Sequence, residues 1–244
     1  MKKLIVITGA SSGFGMEMAK LFAAQGHPLL LLARRVELIE QMIKEENLKN
    51  ALAAQVDVTD YSTFQAAITK AQTLYGPVDL LINNAGVMLL GSITNQNPQE
   101  WQTMLDVNVK GVLNGMQIVI NDMLKNNTGT IINVSSIAGR KTFQNHAAYC
   151  ATKYGVHALT ETIREEVSAH NVRVLTIAPG AAETELLEHT TSQQIKADYY
   201  AWKDSMGGKS MDALHVAQSA LFMYQMPQDV SIREIVLAHT KQDS

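Results

Sequence analysis

The chain is expected to fold as an α/β protein, a doubly wound parallel sheet of seven strands with helices on both faces, in a single domain over residues 1–244. Three observations predict this. Short runs of Val, Ile and Leu recur without polar alternation, as in strands buried on both faces of a parallel sheet. Longer amphipathic stretches separate them, and such alternation builds right-handed βαβ units. A glycine-rich turn joins the first apolar run to the first amphipathic one, as where a strand feeds the N-terminus of a ligand-binding helix.

Strands are expected at Leu4–Thr8, Pro28–Ala33, Leu52–Val56, Val78–Asn83, Gly129–Ser135, Val172–Ala178 and Ile232–Leu237. Helices are expected at Phe14–Gln25, Val36–Leu48, Ser62–Tyr75, Pro98–Asn126, Ala147–His170 and Asp212–Tyr224, with Asp60 and Asp212 placed as N-caps. One stretch breaks the alternation. Glu183–Ser210 carries Leu186, Leu187, Tyr199, Tyr200 and Trp202, too apolar for a linker and too long for a plain connection, and reads as a helical flap.

The composition, 46% hydrophobic and 18% charged, is that of a globular protein. A net charge of −3 leaves no basic excess to neutralise phosphates, which argues against nucleic-acid or anionic-membrane partners. The single cysteine, Cys150, allows no intrachain disulfide and fits a reducing compartment. No secretory signal follows Met1-Lys2-Lys3 and no run reaches transmembrane length, so a cytoplasmic location is expected. The histidines lack metal-ligand spacing and no metal is expected.

The chemistry-bearing residues cluster around Tyr149 and Lys153. Four residues apart on a helix, they share one face. A free phenol has a pKa of about 10, and a neighbouring ammonium favours the phenolate and lowers that value. Ser136, thirteen residues upstream, supplies a hydroxyl to the same place, with Ser135 as its alternative, since adjacent strand residues face opposite ways. This trio suggests proton transfer at an oxygen.

A second group points to a nucleotide. In Thr8-Gly9-Ala10-Ser11-Ser12-Gly13-Phe14-Gly15 the glycines let the backbone approach a pyrophosphate at a helix N-terminus. Where an acidic residue commonly binds the ribose 2′-hydroxyl, the second strand ends in Ala33-Arg34-Arg35. Guanidinium groups there suit a 2′-phosphate, hence NADP(H). Asp57, beside Val58, either accepts from an adenine amino group or caps the next helix. Asn83-Asn84-Ala85-Gly86 ends the fourth strand at the edge where ligands bind in such sheets.

Together these motifs resemble the short-chain dehydrogenase/reductase family over the whole chain, within the branch that includes clavaldehyde dehydrogenase and the 3-hydroxy acid (serine-type) dehydrogenases. The resemblance implies a Rossmann-like fold and NADP(H)-dependent interconversion of a ketone or aldehyde and its alcohol. It implies a tetrad in which Tyr149 moves the proton, Lys153 lowers its pKa and holds the nicotinamide ribose, Ser136 binds the substrate oxygen, and Asn108, at a helix irregularity, holds a water linked to Lys153. Pro179, Gly180 and Ala182 would contact the nicotinamide amide by their backbone, with Thr184 on the amide or pyrophosphate. Met88, His146 and Leu187 are expected at the substrate pocket, although His146 also reads as a helix-start residue without chemistry. Glu183, Glu185 and Glu188 read as helix N-terminal acids, or as a screen against anionic substrates. The family pairs the long fourth and fifth helices between subunits, so a homotetramer or dimer is implied. Two rivals remain: a dinucleotide-binding sensor without turnover, and a sugar-nucleotide epimerase sharing the Tyr-x-x-x-Lys pair but with a different glycine spacing.

Overall fold

The aliphatic runs pair as seven parallel strands in one sheet, in a computed structural model whose described residues are 2–208 and 210–242. The strands are β1 (Leu4–Thr8), β2 (Leu29–Ala33), β3 (Ala51–Gln55), β4 (Val78–Asn83), β5 (Gly129–Val134), β6 (Val172–Pro179) and β7 (Glu234–Leu237), in the order β3-β2-β1-β4-β5-β6-β7. The helices are α1 (Gly13–Ala24), α2 (Val36–Glu45), α3 (Tyr61–Tyr75), α4 (Pro98–Leu105), α5 (Gly111–Asn126), α6 (Ala147–Glu166), α7 (Gln193–Ser205) and α8 (Ala213–Gln225). The expected Rossmann-like architecture is therefore observed.

Strand side chains alternate between two cores. Ile5 and Ile7 pack with Met18, Phe22, Ile39, Val216 and Met223 from α1, α2 and α8. Leu4 and Val6 face the other way, against Phe64, Ile68, Val112, Met116 and Val156 from α3, α5 and α6. Among the described residues no helix is long and apolar enough to cross a membrane.

Asp60 and Asp212 cap α3 and α8 as expected, Asp60 accepting the N–H groups of Ser62 and Thr63 and Asp212 that of Leu214. The expected helix Pro98–Asn126 is instead α4, a π turn over Asp106–Lys110, and α5. The expected helix Ala147–His170 stops at Glu166 and gives way to a 3₁₀ turn at Ser168–His170, after which Asn171 takes the left-handed conformation, φ 50°. α2 ends at Glu45, short of Leu48, with Asn47 at φ 50°. β5 stops at Val134, which leaves Ser135 and Ser136 in the turn that follows. β3 is half-buried, as an edge strand paired along one edge only, and its pairing with β2 runs from Ala51 to Gln55.

The segment read as a flap starts beside a parallel bridge between Ala182 and Met211, makes a 3₁₀ turn over Glu185–His189, and continues as α7. Lys209, within the expected 183–210 span, lies outside the described residues. Thr190 joins this segment to the chain beyond β4: its hydroxyl donates to the Met88 carbonyl at 3.2 Å and accepts the Leu90 N–H at 3.1 Å.

Polar side chains join the strands at the carboxyl edge of the sheet. The Thr8 hydroxyl accepts the N–H groups of Asn84 and Ala85, each at 3.0 Å. Asn84 Nδ2 donates back to the Thr8 carbonyl at 2.9 Å, closing β1 on β4. Asn83 Nδ2 donates to Asn133 Oδ1 at 2.8 Å, and Asn133 Nδ2 to Thr160 Oγ1 at 2.9 Å, which carries the connection through β5 to α6. Replacing Thr8 by the near-isosteric Val removes the acceptor of two backbone N–H groups. Thr8→Val should therefore lower stability by about 1–3 kcal/mol, read as a lower urea midpoint at unchanged slope; an unchanged midpoint would show that the bonds contribute nothing net.

Candidate active site

The carboxyl ends of β1 and β4 open onto a cavity of about 750 Å³. Every residue expected to bind cofactor or substrate lines it except Gly15, and of the expected tetrad only Asn108 does not reach it. Gly15 packs beneath: a Cβ there would fall 2.3 Å from the Gly9 carbonyl oxygen. Gly9 turns the chain at φ +65°, and a Cβ on it would fall 2.8 Å from Ala85 Cα. The turn is thus pressed onto the β4 end with no room for side chains. Ser12 leads into α1 without a side-chain cap, so first-turn N–H groups face the cavity end of the helix.

The two arginines differ. Arg34 is exposed and makes no side-chain hydrogen bond or ion pair among the described residues. Arg35 Nη2 lies 2.7 Å from Glu185 Oε2 and donates to Ser12 Oγ at 3.2 Å, so the flap carboxylate already engages it. Asp57 does not cap α3, because Asp60 does. Its Oδ1 accepts the N–H and hydroxyl of Thr59, at 2.9 and 2.7 Å, and holds the turn after β3.

At the other end, Ser136, Tyr149 and Lys153 converge. Ser135 turns away, donating to the Lys153 carbonyl at 3.2 Å, while the Ser136 hydroxyl sits within reach of the Tyr149 phenol and 3.3 Å from the Pro179 carbonyl. Tyr149 and Lys153 are buried, and Lys153 Nζ lies 5.7 Å from the Tyr149 ring centroid. The net pKa of the phenol is nonetheless raised, not lowered. Burial pushes Tyr149 well above the usual phenol value, and the hydrogen bond from Ser136 only partly offsets it. Burial also pushes the Lys153 ammonium down to about 8, and its Nζ donates to the Val134 carbonyl at 3.1 Å.

Asn108 sits in the π turn as expected, but its side chain is committed elsewhere. It pairs with both backbone groups of Val87, at 2.8 and 2.9 Å, and donates to Thr152 Oγ1 at 3.2 Å. Its amide therefore fixes the chain that follows β4, and its Oδ1 and the Lys153 Nζ lie 3.3 and 3.8 Å from where a Cβ on Gly86 would stand. Pro179, Gly180 and Ala182 line the cavity wall next to Thr184, whose hydroxyl caps the 3₁₀ turn by accepting the Leu186 N–H at 3.4 Å.

The substrate end has an aromatic wall. Phe143, His146, Tyr199 and Trp202 follow one another at centroid distances of 5.5, 6.5 and 5.2 Å, and His146 is 6.3 Å from Tyr149. Met88 and Leu187 are buried in the same cluster. Glu185 and Glu188 stand in the first turn of the 3₁₀ helix as expected, while Glu183 lies before it, and all three are paired. Glu183 holds Ser210 and Lys203, Glu185 holds Arg35, and Glu188 holds Lys196 and Tyr200. The Ser210 and Lys203 bonds keep Glu183 down at about 2.

Sequence reading missed Gln242 and Thr190. Gln242 Oε1 accepts the Ala181 N–H at 3.0 Å and so braces the wall after β6. No local pattern marks either residue; only tertiary contact reveals them.

A profile of the short chain dehydrogenase family matches residues 3–195. The chain is 35% identical over 242 residues to an uncharacterized oxidoreductase of Staphylococcus saprophyticus, covering 98% of this chain and 97% of that one. It is 36% identical over 244 residues to an uncharacterized oxidoreductase of Listeria monocytogenes, at the same coverage. The closed form of a serine dehydrogenase complexed with NADP+ superposes with a TM-score of 0.91 at 27% identity, over 99% of this chain and 96% of that one. With this profile, these relatives and a Tyr149–Lys153 pair at the head of a dinucleotide-type cavity, the chain belongs to the short chain dehydrogenase family.

Proposed function

We propose that the protein is an NADP(H)-dependent oxidoreductase that interconverts a ketone or aldehyde and its alcohol. The observation that carries this is the convergence of Ser136, Tyr149 and Lys153 in the same cavity as the glycine turn and Arg34. The residues fit the dinucleotide. The turn at Gly9 brings backbone against the cavity floor, the N-terminus of α1 has no side-chain cap, and the Arg34 guanidinium is without a bonded partner among the described residues. The NADP+ of the serine dehydrogenase neighbour and the NADP of a second neighbour, ElxO, support the choice of cofactor.

The pyrophosphate would lie along Ser11, Ser12, Gly13, Phe14 and the first turn of α1. The 2′-phosphate would meet Arg34, with Arg35 joining when Glu185 yields it. Asp57 and Val58 would border the adenine, and Asn84, Ala85 and Gly86 the ribose on the nicotinamide side. Pro179, Gly180, Ala182 and Thr184 would border the nicotinamide. When bound there, the cofactor supplies the hydride.

The chain supplies the proton and the position. Ser136 holds the substrate oxygen within reach of the Tyr149 phenol, which donates its proton as negative charge develops on that oxygen. Because burial keeps the phenol protonated, it is set to act as the acid of carbonyl reduction. The Lys153 ammonium beside the ring would offset the charge left on the phenolate and would hydrogen-bond the nicotinamide ribose. Asn108 keeps the Gly86–Val87 backbone in place beside it. Residues 183–210 act as the flap that closes the substrate end, and the enzyme works in the cytoplasm. Exposed Leu113 on α5 and Tyr154 on α6 support pairing of these helices between subunits of a homotetramer or dimer.

Tyr149→Phe should fold and bind NADPH with unchanged affinity while kcat falls by about 10²–10⁴-fold; retained turnover would refute the assignment. Arg34→Ala should raise KM for NADPH by about tenfold while leaving that for NADH nearly unchanged, and parallel changes would remove the 2′-phosphate role. The pH profile follows from Lys153, whose lowered pKa leaves it charged below about 8 and neutral above. Carbonyl reduction should hold through neutral pH and decline as pH rises through that value, and a rate that climbs across the same range would contradict the role given to the ammonium.

A further inference from the structure

We propose that the substrate is an uncharged carbonyl compound with a flat, apolar body, and that the pocket discriminates against carboxylate-bearing analogues. This rests on the carbonyl-reducing reading above. It decides between the two substrate classes that the branch resemblance leaves open, small ketones or aldehydes and 3-hydroxy acids.

The first argument is shape. The rings of Phe143, His146, Tyr199 and Trp202 run in sequence along one wall, with His146 beside Tyr149 and the last two on α7. Met88 and Leu187, both buried, pack in the same cluster. A carbonyl held at Ser136 and Tyr149 therefore has its substituents among rings and aliphatic groups, which suits a planar hydrophobic body.

The second argument is charge. A desolvated carboxylate is best stabilised by a cation, and the substrate end has none to spare. Among the described lining residues the cations here are Lys153 and Lys203. Lys153 is committed beside Tyr149, and Lys203 Nζ lies 3.0 Å from Glu183 Oε2. Arg34 and Arg35 belong to the nucleotide end. Lys141 packs its ammonium over the Phe143 ring at 5.7 Å and does not line the cavity. Glu183 and Asp198 line this end and are acidic, so a second carboxylate would approach like charge.

The third argument is the polar equipment of the wall, which is neutral. His146 Nδ1 lies 2.6 Å from the Gln144 carbonyl, an acceptor only, so Nδ1 carries the proton. Burial pushes the imidazole below its ordinary pKa, which leaves Nε2 a bare acceptor that repels a carboxylate. The Tyr199 hydroxyl makes no hydrogen bond among the described residues, and burial together with the Glu183 carboxylate pushes it up to about 12. It offers a neutral donor. The serine dehydrogenase neighbour, by contrast, is named for a substrate that bears a carboxylate.

The test uses the purified full chain with a size-matched pair, an aryl 3-oxo ester and the corresponding 3-oxo acid. NADPH consumption should give the ester a kcat/KM about 100-fold above that of the acid. Equal values, or a preference for the acid, would overturn the inference while leaving the carbonyl-reducing reading intact. Binding is read separately, by quenching of tryptophan fluorescence in the presence of NADP+, with Trp202→Phe identifying the responding residue. If neither compound is turned over, the titration decides alone: tighter ester binding upholds the neutral pocket, and equal or tighter acid binding rejects it. Glu183→Gln keeps an acceptor for Ser210 but frees the Lys203 ammonium, so the acid-to-ester ratio should rise about tenfold. An unchanged ratio in that variant would remove the Glu183–Lys203 pair from the explanation and overturn the charge argument.

Discussion

The site depends on a polar seam inside an aliphatic sheet. Asn83 and Asn133 are buried among Leu, Ile and Val side chains, where an unpaired amide is costly, and each finds its partner in the next element. The seam runs from β4 to β5 and on to Thr160 of α6, while Thr8 and Asn84 close β1 on β4. α6 carries Tyr149 and Lys153, and β1 delivers the glycine turn. The same set of bonds therefore fixes the distance between the nucleotide end and the proton-transfer end. A slip of one strand would break bonds that nothing else in that apolar interior can replace.

Much of this was legible because it is periodic or local. Aliphatic runs marked the strands, acidic caps at Asp60 and Asp212 marked helix starts, and the four-residue spacing put Tyr149 and Lys153 on one face. The boundaries that shifted did so where the backbone has freedom that composition does not record. Asn47 takes a left-handed conformation that closes α2 early, and Asn171 does the same for the 3₁₀ turn that replaces the expected last turn of α6. The π turn at Asp106–Lys110 is a change in hydrogen-bond register, so the interruption was expected at Asn108 only through the family resemblance. Arg35 and Glu185 meet across 150 residues, and Gln242 reaches Ala181 from the last strand's far side. No spacing rule connects such pairs.

The electrostatics of Tyr149 show where pairwise reasoning stops. A cation four residues away on a helix suggests an acidified phenol. In the folded protein both groups lose water together, and desolvation moves them in opposite directions: the phenol upward and the ammonium downward. Burial thus favours the neutral form of each group over its charged form. The Ser136 hydroxyl is the contact that acts in favour of the phenolate.

α7 contributes no fully buried side chain, whereas α8 contributes five to the core beside it. Its aromatic residues reach the pocket from a helix that the sheet does not need for its own cohesion. Substitutions on α7 are therefore expected to reshape the pocket wall while leaving the seam, the glycine turn and the Tyr149–Lys153 pair in place.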